Sequence, residues 1–130
     1  MPKPPPTGLA MIICDDTIED RVTGKKTLVG LFNNITVKAC PFRHQETNIF
    51  MVLTNGHGDY NARLKCLKED GQVIVDLSGQ VHFPDPNAVV EFNFELLGLG
   101  FPAHGLYRFA FYCDDVPVIS RKFMVSQQKG

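Results

Sequence analysis

Apolar and polar residues alternate along most of this chain with a period of two. Val90, Phe92, Phe94 and Leu96 are large and apolar, while Glu91, Asn93 and Glu95 between them are polar. That is the pattern of a strand with one wet face and one dry face. Tyr60, Ala62, Leu64 and Cys66 repeat it, as do Tyr107, Phe109, Phe111 and Cys113. The closing run from Val118 to Val125 follows it less cleanly. Ile49 to Leu53 is continuously apolar, as expected of a strand covered on both faces. Leu9 to Cys14, Leu28 to Lys38 and Gln72 to Phe83 complete eight predicted strands, with Ile18 to Val22 a short candidate ninth. No window sustains a helical stripe, so almost no helix is expected.

The breaks between these runs agree. Thr23-Gly24-Lys25, Asp70-Gly71 and Asp114-Asp115 are tight-turn signals. Asn55 to Gly58 and Pro84 to Asn87 are longer breaks, and Gly98 to Gly105 is long enough to cross between sheets. Short strands at this spacing predict an all-β fold, a two-layer antiparallel β-sandwich of about eight strands, immunoglobulin-like in organisation. In such sandwiches a tyrosine often opens the penultimate strand, two residues before a core position, and its hydroxyl caps a nearby loop carbonyl. Tyr107 and Phe109 fit those two places. The plainer alternative is a tyrosine in any half-buried strand.

A chain of 130 residues is the size of one domain, and about two-thirds of its unfolded surface is buried on folding. Residues 1–7 hold four prolines and read as a flexible Pro-rich arm. Residues 8–126 form the sandwich, and residues 127–130 should fray. Thirteen Lys and Arg against 14 Asp and Glu leave a net charge of −1, with no basic excess to hold a nucleic acid. Lys25-Lys26 and Arg121-Lys122 are isolated basic pairs. No apolar run approaches the ~20 residues that cross a bilayer, and the start lacks the features of a secretory signal. The expected compartment is the cytoplasm, away from membrane. Cys14, Cys40, Cys66 and Cys113 stand far apart with no C-x-x-C pair and read as mostly buried hydrophobes in a reducing compartment. Cys66 and Cys113 could meet across a sandwich.

Several short motifs sharpen this reading. Ile13-Cys14-Asp15, Gly30-Leu31-Phe32-Asn33-Asn34-Ile35, Pro41-Phe42, Phe83-Pro84-Asp85-Pro86 and Phe101-Pro102 before Gly105-Leu106-Tyr107-Arg108-Phe109 run through the chain. Over about Leu9 to Val125 it resembles a family of short uncharacterised bacterial proteins. The resemblance implies a cytoplasmic bacterial β-sandwich and brings no activity, substrate or catalytic residue with it.

Strands of alternating direction would gather the loops at two ends. At the first end, Phe42 and Phe101 are aromatics beside proline, with His44 and His104 two or three residues on. Phe42, His44, Phe101 and His104 are the candidate binding patch; the alternative is that the phenylalanines turn inward and plug the core. At the second end Asn55, Asp59, Asp85, Asn87, Asp114 and Asp115 could converge on calcium, but hairpin turns demand Asn and Asp for backbone reasons. His57 and His82 are too far apart in sequence to suggest zinc. No catalytic residue, cofactor or metal is assigned. The expected role is a non-enzymatic protein-binding or scaffold module, with a protein partner and a possible homodimer through paired sheet edges. The alternative is a small-ligand-binding or hydrolytic protein working around Cys40, His44 and His104.

Overall fold

Period-two patterning becomes nine strands in the computed structural model, which describes residues 3–128. They are β1 (Thr7–Glu19), β2 (Lys26–Leu31), β3 (Asn34–Val37), β4 (Phe42–Thr54), β5 (Gly58–Lys68), β6 (Val73–Phe83), β7 (Val90–Phe101), β8 (Gly105–Cys113) and β9 (Val116–Gln127). A first sheet has the order β2-β1-β4-β7 and a second the order β3-β9-β8-β5-β6. Among the described residues no helix is long and apolar enough to cross a membrane. Ile13, Ile49, Met51 and Leu53 of the first sheet face Leu64, Cys66, Phe109 and Phe111 of the second, all fully or almost fully buried. Each such side chain contributes about 1.5–3 kcal/mol on leaving water.

Aromatic rings close both ends. At the first, Phe101 lies edge-on to Tyr107 with ring centroids 5.1 Å apart, and Phe123 stacks on Phe109 at 5.0 Å. The Tyr107 hydroxyl donates to the Ala103 carbonyl at 2.6 Å and accepts from the Ala103 N–H at 3.3 Å, the capping role expected of it. At the second end Tyr60 lies edge-on to Phe83 at 5.6 Å. Its hydroxyl accepts from the His57 N–H and donates to the Pro4 carbonyl, each at 2.8 Å. The Lys3 ammonium sits 4.2 Å from the Tyr60 ring centroid and donates to the Asp59 carbonyl. Residues 3–6 of the Pro-rich segment therefore lie against this end, with Pro6 buried. Gly56 is needed here, because a Cβ would fall 2.1 Å from the Phe83 ring. Gln128 is tied by its N–H to the Val37 carbonyl at 2.7 Å; residues 1–2 and 129–130 of the expected arm and frayed tail lie outside the described residues.

Three expectations change. The predicted strand from Leu28 to Lys38 is two strands in different sheets. Gly30 sits at φ +71°, and a Cβ there would fall 2.5 Å from Asp15 Oδ2. The Phe32 N–H still bonds back to Ile13 in the first sheet, at 3.1 Å, while the Asn33 carbonyl already accepts from Met124 in the second, also at 3.1 Å. The crossing is complete within two residues. Second, β3 lies parallel to β9, the one parallel pair among the described residues. Third, Ile18 to Val22 is no separate strand: β1 runs unbroken to Glu19 and turns at Asp20, whose carboxylate accepts from the N–H groups of Val22 and Thr23.

The distal half of β1 and β2 crosses the outer face of the first sheet. Asn48 donates to the Asp15 carbonyl at 2.9 Å, Thr17 reaches Asn93 of β7 at 3.1 Å, and Lys26 reaches Glu91 at 3.5 Å. This cover buries Asn48 and Phe50, although their parity faces them away from the second sheet.

Candidate functional site

Of the residues singled out at the first end, Phe42, His44 and Phe101 lie in strands and draw together, with the Phe42 and His44 rings 6.3 Å apart, while His104 lies in the bend between β7 and β8. β4 begins at Phe42 and β7 ends at Phe101, and these two residues face each other in the ladder. Phe101 is 1% exposed, so it plugs the core; Phe42 packs half-buried against it. His44 turns toward the crossing segment, 5.5 Å from the Phe32 ring and 3.4 Å from Asp15 Oδ1. His104 is exposed and lines a shallow hollow with the Lys68–Asp70 turn. Cys40 is half-buried against the core.

At the second end, Asp and Asn serve the backbone. Asn55, Asp114 and Asp115 have φ between 49° and 66°, the left-handed region these residues tolerate best. Asp85 accepts from the Asn87 N–H, and Asp114 from the Asn61 N–H, each at 2.8 Å. Asp59 pairs with His82 at 2.6 Å. Among the described residues no three His, Cys, Asp or Glu side chains come together as a metal ion would need.

Cys66 and Cys113 occupy adjacent strands of one sheet and do not meet across the sandwich. Cys113 is opposite Ala62, four residues along β5 from Cys66, or roughly 13 Å at the strand rise. Burial pushes both thiols up to about 12, which holds them protonated and unreactive at neutral pH.

Folding creates a charge pattern that the linear sequence hides. Strands of the first sheet carry six carboxylates (Asp15, Asp16, Glu19, Glu46, Glu91, Glu95) against two cations, Lys26 and Arg43. Strands of the second carry six cations (Arg63, Lys65, Lys68, Arg108, Arg121, Lys122) against two carboxylates, Asp59 and Asp76. Arg63 holds Asp76 in a two-pronged pair at 2.7 Å, which keeps the Asp76 carboxyl below its ordinary value, chiefly through that hydrogen bond. Arg121 is spent on structure, donating to the Met11 carbonyl at 2.8 Å and to Asn33.

Arg108 and Lys122 have no such use. They are directly opposite each other in the β8–β9 ladder, both exposed on the outer face, and neither is ion-paired among the described residues. Beside them, Leu67 and Leu106 with the Lys68–Gly71 turn line a depression of about 400 Å³. Like charges opposed across a ladder are destabilising, so this arrangement favours an incoming anion. The sequence signal was available only through register: the polar parity of β8 and β9 places one cation on each, and pairing the strands puts them together.

A family profile matches residues 9–126, and the description of that family reads "Family of unknown function (DUF6941)". No curated protein matches the chain.

Proposed function

We propose that this chain, which belongs to that family of unknown function, is a non-enzymatic protein-binding module: an immunoglobulin-like sandwich of the bacterial cytoplasm that receives an acidic protein surface on the outer face of its second sheet. The observation that carries this reading is the unpaired Arg108–Lys122 couple over the Leu67 and Leu106 floor. Two cations held together outside any ion pair, with Lys68 nearby and Glu69 the single carboxylate lining the same depression, supply orientation and on-rate to an acidic partner. Leucine beside them supplies the apolar contact that gives such a surface lasting affinity. Binding, rather than catalysis, is also favoured by the chemistry of the interior: the buried Cys66 and Cys113 thiols are held protonated, and His44 turns to Phe32 and Asp15 while His104 lines the hollow beside the Lys68–Asp70 turn. Four free cysteines accord with a reducing compartment. The immunoglobulin-like description draws support from the capped Tyr107 at the start of the penultimate strand and from chain crossings between the sheets.

Affinity capture from the native cell tests the reading. The wild-type chain and R108E/K122E serve as baits at low and at raised salt, with quantitative mass spectrometry of the eluates. A protein recovered in stoichiometric amount by the wild type, reduced at least ~10-fold by charge reversal and weakened by salt, supports it. Equal recovery by both baits, or recovery of only a small metabolite, overturns it.

A further inference from the structure

We propose that the acidic surface received by Arg108 and Lys122 belongs to a second copy of this chain, and that it is the patch around Leu97 on the outer face of the first sheet. The inference rests on the reading of the basic face as a protein-binding surface and names its occupant. Leu97 is 72% exposed, the most exposed leucine among the described residues. Glu46 is directly opposite it in the β4–β7 ladder, so both side chains stand on the same face. Glu95, two residues earlier in β7, is exposed on that face as well. Neither glutamate is ion-paired among the described residues, although Glu19 and Glu91 close by share Lys26 at 3.3 and 3.5 Å.

The two surfaces are complementary in kind and in spacing. One presents two free carboxylates on either side of an exposed leucine; the other presents two free cations side by side, with the Leu67 and Leu106 floor beside them and Glu69 at its rim. Cross-strand neighbours are about 5 Å apart, and i, i+2 neighbours on one strand about 7 Å. Both charged pairs therefore have the dimensions of a single ladder rung or its diagonal, and each carboxylate can meet a cation with Leu97 seated between Leu67 and Leu106. The carboxylates belong to one sheet and the cations to the other, so the contact is heterologous. Copies join face to back, and the assembly closes into a ring or continues as a filament according to the rotation at each joint.

Sedimentation velocity on the purified full-length chain tests this, across a concentration series at low and at raised salt. Concentration-dependent association beyond a dimer, weakened by salt, is the expected result. R108E/K122E and E46K/E95K should each lower the association constant at least ~10-fold. An equimolar mixture of the two variants should recover association beyond a dimer, because the intact acidic face of one variant meets the intact basic face of the other and the two reversed faces match as well, so that the variants alternate along the assembly; that restoration also shows that both variants fold. A wild-type chain that stays monomeric throughout the series overturns the inference, as does association that both variants retain, the behaviour of edge-paired strands. Monomeric wild type together with salt-sensitive capture of another protein would overturn the self-contact alone and leave the binding-module reading standing.

Discussion

Thr47 is 1% exposed on the inner side of β4, opposite Leu96, and its hydroxyl is the buried side-chain oxygen without a hydrogen-bond partner among the described residues. A buried donor that finds no acceptor forfeits the water it had in the unfolded chain. Valine has nearly the same shape and carries no such debt. Thr47→Val should therefore raise stability by about 1 kcal/mol, read as a higher urea midpoint with unchanged slope. A lower midpoint would mean that the hydroxyl has a partner, such as an internal water. The contrast with Tyr60 and Tyr107 is instructive: their equally buried rings deliver each hydroxyl to two backbone groups at opposite ends of the sandwich. Polar atoms in this interior are satisfied where the chain must be capped, and Thr47 caps nothing.

At the scale of elements, the crossing from β2 to β3 joins the sheets on the side where β1 approaches β9. Gly8 of β1 comes so close there that a Cβ would fall 2.7 Å from Ile119 Cβ. Arg121 spans the gap, with one nitrogen on the Met11 carbonyl and another on the Asn33 side chain. Arg121→Met keeps the apolar stem and removes both bonds, so it should cost about 1.5–3 kcal/mol, the range for hydrogen bonds to charged groups. Native-state hydrogen exchange should show β3 opening first, because its four residues have the shortest ladder; uniform weakening of all strands would contradict this. Much of the sandwich was legible in the sequence: β5, β8 and β7 as far as Leu96 carry unbroken alternation because each has one inner and one outer face, and the alternation of β7 slips at Leu97, where Gly98 has a positive φ. Two features were not. Leu28 to Lys38 reads as one strand because Gly30 looks like any strand glycine until its positive φ is seen. β9 alternates poorly because a bulge opposite Phe111 and Tyr112 shifts its register by one residue. Without that bulge the tight turn would set Arg121 against Arg108; with it, Arg121 is free to clamp the crossing and Lys122 moves beside Arg108.

For the whole molecule, a net charge of −1 conceals two sheets of opposite sign, and the cost of keeping them so is measurable. The opposed Arg108 and Lys122 repel each other without a compensating carboxylate, a penalty of a few tenths of a kcal/mol for an exposed cross-strand pair. If the couple exists to receive a partner, the free chain bears that penalty and the bound one does not. Arg108→Gln keeps most of the stem that can lie along Leu67 and Leu106 and removes one of the two charges. It should raise the urea midpoint of the isolated chain slightly at low salt, with the gain fading as salt screens the repulsion, while binding at the basic face weakens. Stability and binding then move in opposite directions, the mark of a surface kept for recognition. If Arg108→Gln instead lowers stability at every salt concentration, the guanidinium is holding the fold together, and the reasons for reading this face as a binding surface fall with it.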